Sequence, residues 1–228
     1  MTQQLILDLL PAPPPTLENF VVGRNAPALA ALRECQPGRA IYLWGPQGVG
    51  RTHLLRGASH YPGGHYQPAH GAAGRLREIA TGETMGLRLI AVDDVQTLDT
   101  DGQAALFALY NRWRESAATQ EAFALVLAGD GSPLSMNVRE DLRTRLGWDL
   151  VFRLEQLSDD ERARALHSRA AERGLDLSTD VITWLLTHQE RDMSRLAAVV
   201  DALDRYSLAR HRPITLPLLK DLLASDQP

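Results

Sequence analysis

From residue 16 to residue 154 the chain alternates short, near-continuous apolar runs with stretches of helical periodicity. Residues 40–44, 87–92, 123–128 and 150–154 read as strands, and 65–67 as a weaker one. Helices are predicted over about 26–34, from about 51, and over about 75–81, 102–115 and 139–146. In the fourth of these, Leu106, Leu109, Tyr110 and Trp113 recur at helical spacing. Asn25 is placed to cap the first helix, with Pro27 in its first turn. Apolar strands alternating with helices predict a parallel sheet covered on both faces. After Ser158 the pattern changes to helices alone, over about 159–173, 179–188, 192–210 and 215–224. Ser158 with Glu161 forms a capping box, and Gly174 is a helix stop. The expected organisation is an α/β domain over 16–156 and a small helical domain over 157–228. No internal repeat is present.

Residues 1–15 stand apart. Leu5, Ile6, Leu7, Leu9 and Leu10 precede Pro11, Pro13, Pro14 and Pro15. Prolines of this density favour an extended, semi-rigid spacer. An apolar segment on such a tether reads as a docking peptide; a frayed terminus or an extra edge strand is the equal alternative from the residues alone.

Composition narrows the class. The 228 residues suit one large domain or two small ones, with a core that needs no disulfide. Apolar residues at 44% and charged residues at 23% argue against global disorder. No apolar run is long enough to span a membrane, and the first residues lack a signal-peptide pattern. Cys35 is the single cysteine, which excludes an internal disulfide and a thiolate-rich zinc site and fits a cytosolic setting. A net charge of −4 supplies no basic field for nucleic acid. Lys220 is the only lysine, so arginine carries nearly all positive charge.

The candidate chemistry sits at strand ends. Gly45-Pro46-Gln47-Gly48-Val49-Gly50-Arg51-Thr52 has the spacing of a phosphate-binding P-loop, between a strand and a helix, with Arg51 where lysine is usual. Glycines let backbone N–H groups surround phosphate oxygens, and the next helix adds its positive N-terminus. Thr52 is the expected Mg²⁺ ligand from the loop. A guanidinium is planar and broader than an ammonium. Arg51 therefore points to nucleotide binding with weak or no hydrolysis; the competing account is the lysine-poor composition. About forty residues on, an apolar strand ends in Asp93-Asp94, a Walker B pattern. Asp93 would hold the Mg²⁺ shell and Asp94 would orient or polarise a water. Gly129-Asp130 repeats the strand-to-acid layout, making Asp130 a sensor candidate, against a plain turn. Arg143 and Arg145 lie in a short helix that can face an adjacent subunit; by themselves they read as solvated charges.

These residues together resemble the AAA+ family and, within it, the nucleotide-binding modules of the replication initiator DnaA and of lone-module inactivators of DnaA. The resemblance covers nearly all of residues 16–224. The stretch Leu17-Glu18-Asn19-Phe20-Val21-Val22-Gly23-Arg24-Asn25 is similar to the segment that packs on adenine, which implies contacts from Val21 and Val22. Leu142-Arg143-Thr144-Arg145-Leu146-Gly147-Trp148-Asp149-Leu150 is similar to the segment carrying an arginine finger, which falls on Arg145. Gly50-Arg51-Thr52-His53 and the 204–207 and 212–215 stretches agree with the inactivators, and Ser158-Asp159-Asp160-Glu161-Arg162 resembles the start of the lid. Gln4-Leu5-Ile6-Leu7-Asp8-Leu9 resembles their peptide for the DNA polymerase III sliding clamp (the beta subunit), with Gln4, Leu5, Leu7 and Leu9 as anchors.

The resemblance implies an AAA+ P-loop NTPase fold: a five-stranded parallel sheet between helices, then a helical lid. It implies an adenine nucleotide, ADP or ATP, with Mg²⁺ on Thr52 and Asp93. Gly45, Pro46, Gly48, Val49, Gly50, Arg51, Thr52 and His53 would line the nucleotide. It implies DnaA and the clamp as partners, without membrane attachment or sequence-specific DNA binding, and a cytoplasmic, replisome-associated place. Self-association is left open. The helicase-loading and DNA-reading domains of DnaA have no counterpart in these residues. One departure concerns the lid arginine over the phosphates. The matching column falls on Ser194, with Arg195 one place later, and one residue turns a helix by about 100°.

The implied function is negative regulation of replication initiation, in which Arg145 enters the ATP site of DnaA in trans and Asp94 and Asp130 complete the module's own site. The rival reading is an independent AAA+ ATPase, such as a helicase loader, which would need turnover of its own. A DNA-binding initiator paralogue is disfavoured by the net charge. His60, His65 and His70 read as surface or loop residues rather than metal ligands, the four tryptophans as packing residues, and Arg162, Arg164 and Arg169 as a solvated face.

Overall fold

The computed structural model describes residues 14–82, 86–189 and 192–224. They divide into two compact units, with the boundary between Gln156 and Leu157.

The first unit is a sheet between helices. Strands β1 (Ala40–Trp44), β2 (Gly64–Gln67), β3 (Leu89–Val92), β4 (Ala124–Gly129) and β5 (Leu150–Arg153) lie in the order β2-β3-β4-β1-β5. Every neighbouring pair is parallel. Helices α1 (Ala26–Arg33), α2 (Arg51–Ala58), α3 (Ala72–Thr81), α4 (Thr100–Ser116) and α5 (Glu140–Leu146) supply the cover. Alternation along the strands sends side chains to two separate cores. Tyr42, Ile90, Val92, Leu125 and Leu127 meet Leu76 of α3 and Leu106 and Leu109 of α4. Ile41, Leu43, Ala91, Val126 and Ala128 meet Leu29 and Leu32 of α1 and Leu54 and Leu55 of α2. Residues 124–129 are buried on both faces, which is why β4 reads as an unbroken apolar run.

Asn25 departs from expectation. Its side chain caps no N–H of α1. Instead it is buried and reaches across the fold, donating through Nδ2 to the Glu155 carbonyl at 3.0 Å and accepting the Glu155 N–H on Oδ1 at 2.8 Å. A side-chain amide can satisfy one backbone donor and one acceptor at once, and here it pins the chain leaving β5.

The second unit holds α6 (Asp159–Glu172), α7 (Thr179–His188), α8 (Met193–Arg210) and α9 (Leu216–Ala224) around its own core, which includes Leu166, Val181, Leu185, Leu196, Leu203 and Leu219. The capping box at Ser158 and Glu161 is formed. Of the α6 arginines expected on a solvated face, Arg164 is exposed but the other two are not. Arg162 is buried and bonded to Asp159, and Arg169 donates two hydrogen bonds to the buried Asp201.

Candidate functional site

In a parallel sheet all strands end on one edge, and the loops after them share it. The 45–50 loop follows β1, Asp93-Asp94 follows β3, and Asp130 follows β4. Because β4 lies between β1 and β3, the Gly129-Asp130 corner falls between the P-loop and the acid pair. The sheet order thus brings together three sequence features drawn from nearly ninety residues of chain.

The loop is shaped by a close approach. Gly50 has φ +92, and a Cβ there would stand 2.6 Å from the ring of Phe20. Phe20 in turn lies 5.5 Å, centroid to centroid, from the ring of His53. His53 Nε2 is 2.9 Å from the Thr16 carbonyl. The segment before α1 is therefore packed on the P-loop helix, and Val22 takes part in the same core. Val21 and Val22 are half-buried beside it.

Arg51 does not extend into solvent. Its Nη1 donates to the Gly45 carbonyl at 2.8 Å and its Nη2 to Asp94 Oδ1 at 3.2 Å. Asp94 holds a left-handed backbone, φ +46. Its N–H donates to Asp93 Oδ1 at 2.9 Å, and Oδ1 of Asp94 also accepts from Gln96 Nε2 at 3.1 Å. Gln96 Oε1 accepts the Asp130 N–H at 3.3 Å. Asp93 is buried and accepts from Tyr66 Oη at 2.9 Å. Burial, and then the Asp93 carboxylate, push the Tyr66 phenol up to about 12. The Tyr66 hydroxyl therefore stays a donor across ordinary pH. Burial and Asp130 raise the phenol of Tyr42 as well, and its hydroxyl donates to the Gly131 carbonyl.

These residues fit a phosphate and a hard cation. Nothing lies within 4 Å of where a Cβ on Gly48 would stand, so the loop leaves open space there at φ +80. Thr52 is exposed in the first turn of α2, and Asp93 supplies carboxylate oxygen. A hydroxyl and one carboxylate with phosphate oxygens is the donor set Mg²⁺ takes in nucleotide sites. Among the described residues no group of three His, Cys, Asp or Glu side chains stands ready for a metal. The histidines of the 60–70 stretch form no ligand cluster, although His65 lies on β2, half-buried, rather than on a loop.

Arg145 occupies a different face. Its guanidinium carbon lies 3.6 Å from the centroid of the Phe107 ring and 5.0 Å from that of Trp148. Nη1 donates to Asn111 Oδ1 at 2.5 Å and to the Phe107 carbonyl at 3.2 Å. Burial lowers its pKa from an already high value, and it stays charged. Trp148 is not a core residue: it is 42% exposed, with Arg114 over its ring at 5.4 Å and Tyr110 edge-on beneath.

Residues 159–223 match the family model described as "Hda, lid domain". Over the whole chain the fold is similar to domain III of the Thermotoga maritima replication initiation protein DnaA, with a TM-score of 0.73 and 23% identity, covering 96% of this chain and 100% of that one. AMPPCP-bound DnaA from Aquifex aeolicus matches at 0.63 and 23%, covering 87% of this chain and 70% of that one. The Thermotoga maritima RuvB branch migration motor matches at 0.65 and 16%, covering 96% and 72%. The fold is AAA+, and the lid is Hda-like.

Sequence reasoning missed Gln96, Tyr66, Phe107 and Asn111. Gln96 sits two places after the acid pair, where no spacing rule marks it. Tyr66 reaches Asp93 from β2, and Phe107 and Asn111 reach Arg145 from α4. Arg195 lies exposed in the first turn of α8, its N–H accepted by Asp192 Oδ1 at 3.0 Å. The side chain of Ser194 and the peptide Gln4–Leu9 lie outside the described residues. No helix among the described residues is long and apolar enough to cross a membrane.

Proposed function

We propose that this protein is a negative regulator of replication initiation that stimulates ATP hydrolysis by DnaA, giving the inactive ADP form. The observation that carries the reading is an Hda-type lid, matched over 159–223, on a chain whose fold is that of a DnaA nucleotide-binding module. In this reading the face carrying Arg145 meets the nucleotide site of a DnaA module.

In this reading Gly45, Pro46, Gly48, Val49, Gly50, Arg51, Thr52 and His53 hold an adenine nucleotide, with Val21 and Val22 against the base. Thr52 and Asp93 would hold Mg²⁺, which neutralises phosphate charge when bound. Asp130 and Asp94 flank the phosphates. Arg195 is a secondary candidate from the lid. Gln4, Leu5, Leu7 and Leu9 dock on the DNA-loaded sliding clamp, an extended peptide with apolar anchors on a proline tether. Arg145 leaves Asn111 and the face of Phe107 and enters the ATP site of DnaA, where it stabilises charge on the phosphoryl group being transferred. A trans arginine of this kind is worth roughly 10³–10⁵ in rate. The protein acts in the cytoplasm at the replisome and reads no DNA sequence itself.

The test is ATP hydrolysis by DnaA of the same organism, with clamp loaded on DNA, with and without this protein. Stimulation is expected for the wild type. It should be lost in Arg145→Ala and in a Gln4→Ala, Leu7→Ala double variant, with both retaining their helical circular dichroism. Full stimulation by Arg145→Ala would remove the finger from the mechanism.

A further inference from the structure

Two donors converge on one carboxylate oxygen of the candidate nucleotide site, and one of them is tied to a second strand end. Asp94 Oδ1 accepts from Arg51 Nη2 at 3.2 Å and from Gln96 Nε2 at 3.1 Å. The other end of the Gln96 amide accepts the Asp130 N–H at 3.3 Å. The Arg51 side chain is 11% exposed and that of Asp94 44%, so the pair is shielded on the arginine side while the carboxylate still faces solvent. Only a forked donor does this. The planar guanidinium reaches the Gly45 carbonyl with one nitrogen and Asp94 with the other, where an ammonium is a single point of charge. The left-handed backbone of Asp94 is the kind of strain that persists when the surroundings over-determine it. Here its N–H, its carbonyl and its side chain are all engaged.

We propose that Arg51 and Gln96 form a clasp on Asp94 that keeps this protein's own nucleotide site from turning over. The inference rests on the reading of that site as a nucleotide pocket and adds its regulation. Asp94 is the acid placed to orient a water on the outer phosphate. With its charge matched by Arg51 and Oδ1 fixed by two donors, the carboxylate is held in one orientation and is a weaker base toward a water. Gln96 acts as a positioning residue: it ties the acid to the end of β4, so the clasp senses both strand ends. The site then retains nucleotide as a structural element, and hydrolysis is left to the partner.

Two measurements on the full chain test this. The first needs no bound nucleotide. Phenylglyoxal modification of Arg51, followed by peptide mapping, should be slow relative to the exposed Arg24, and Asp94→Asn should speed it several-fold at Arg51 alone. An unchanged rate at Arg51 would show that the pair does not form. The second is single-turnover ATP hydrolysis. Arg51→Lys, which keeps a cation without the fork, should raise it by about tenfold or more, and Gln96→Ala by less. Adding Asp94→Asn to Arg51→Lys should return it to the wild-type level. A wild-type rate in both Arg51→Lys and Gln96→Ala, with ADP still bound in equilibrium dialysis, would overturn the clasp. Failure of the wild-type chain to bind ADP or ATP would instead bring down the nucleotide reading, and the clasp with it.

Discussion

At position 149 one carboxylate joins the starts of two strands. Asp149 Oδ1 and Oδ2 each accept from the Arg39 guanidinium at 2.7 Å, and Oδ2 also accepts the Ala40 N–H at 2.9 Å. The Arg39 bond is the largest cause holding this carboxyl below the usual carboxylate range. A depressed folded value means the stability it lends is fully present above the unfolded value of about 4 and drains away as pH falls through the lower folded value. Asp149→Asn should therefore lower the urea midpoint at pH 7. The gap to wild type should narrow as pH drops below about 4, because the wild type then loses the same interaction. A gap that stayed constant from pH 7 to pH 3 would show that the charge is not the cause. Cys35 illustrates the opposite case. Burial pushes its thiol up to about 11, so it behaves as a small apolar group, in keeping with a structural role at the end of α1.

At the scale of elements, α4 and α5 set the posture of Arg145. Phe107 and Asn111 are one turn apart on α4 and hold one guanidinium between them. If Arg145 is the finger proposed above, a guanidinium held this firmly is pre-oriented but must be released. Asn111→Ala should alter stimulation of DnaA through the rate at saturation rather than through apparent affinity, with Asn111→Asp, which binds Arg145 harder, slowing it further. A second element argument concerns the P-loop. Gly50→Ala forces a Cβ into Phe20 at an unfavourable φ and should cost about 1–3 kcal/mol in thermal or urea unfolding. Pairing it with Phe20→Ala should relieve the clash but not the backbone strain.

The elements themselves were legible because apolar runs and helical periods are local signals. The capping box was legible for the same reason, as was the placing of the glycine loop and the acid pair at strand ends. Asn25 was misread because cap preference is also local, whereas its partner Glu155 lies 130 residues away. Gln96 left no trace because a neutral amide two places after an acid carries no spacing rule, and Tyr66 because only the pairing of β2 with β3 brings its phenol to Asp93.

For the whole molecule, two units with separate cores predict two unfolding events. Asp201, buried between Arg169 and Arg173 in the helical unit, separates them experimentally. Asp201→Ala should cost about 2 kcal/mol and lower only the calorimetric transition of that unit. Movement of both transitions together would show that the units unfold as one.

The sheet order also has a consequence for synthesis. Strand β1 lies between β4 and β5, and about 80 residues of chain separate Trp44 from Ala124. During translation at about 5–20 residues per second, the β1 strand and its glycine loop leave the ribosome seconds before any partner strand exists. Nascent chains stalled before residue 124 should leave that strand open to proteases and to chaperones that bind extended apolar segments. Those stalled with β5 fully outside the exit tunnel should protect it.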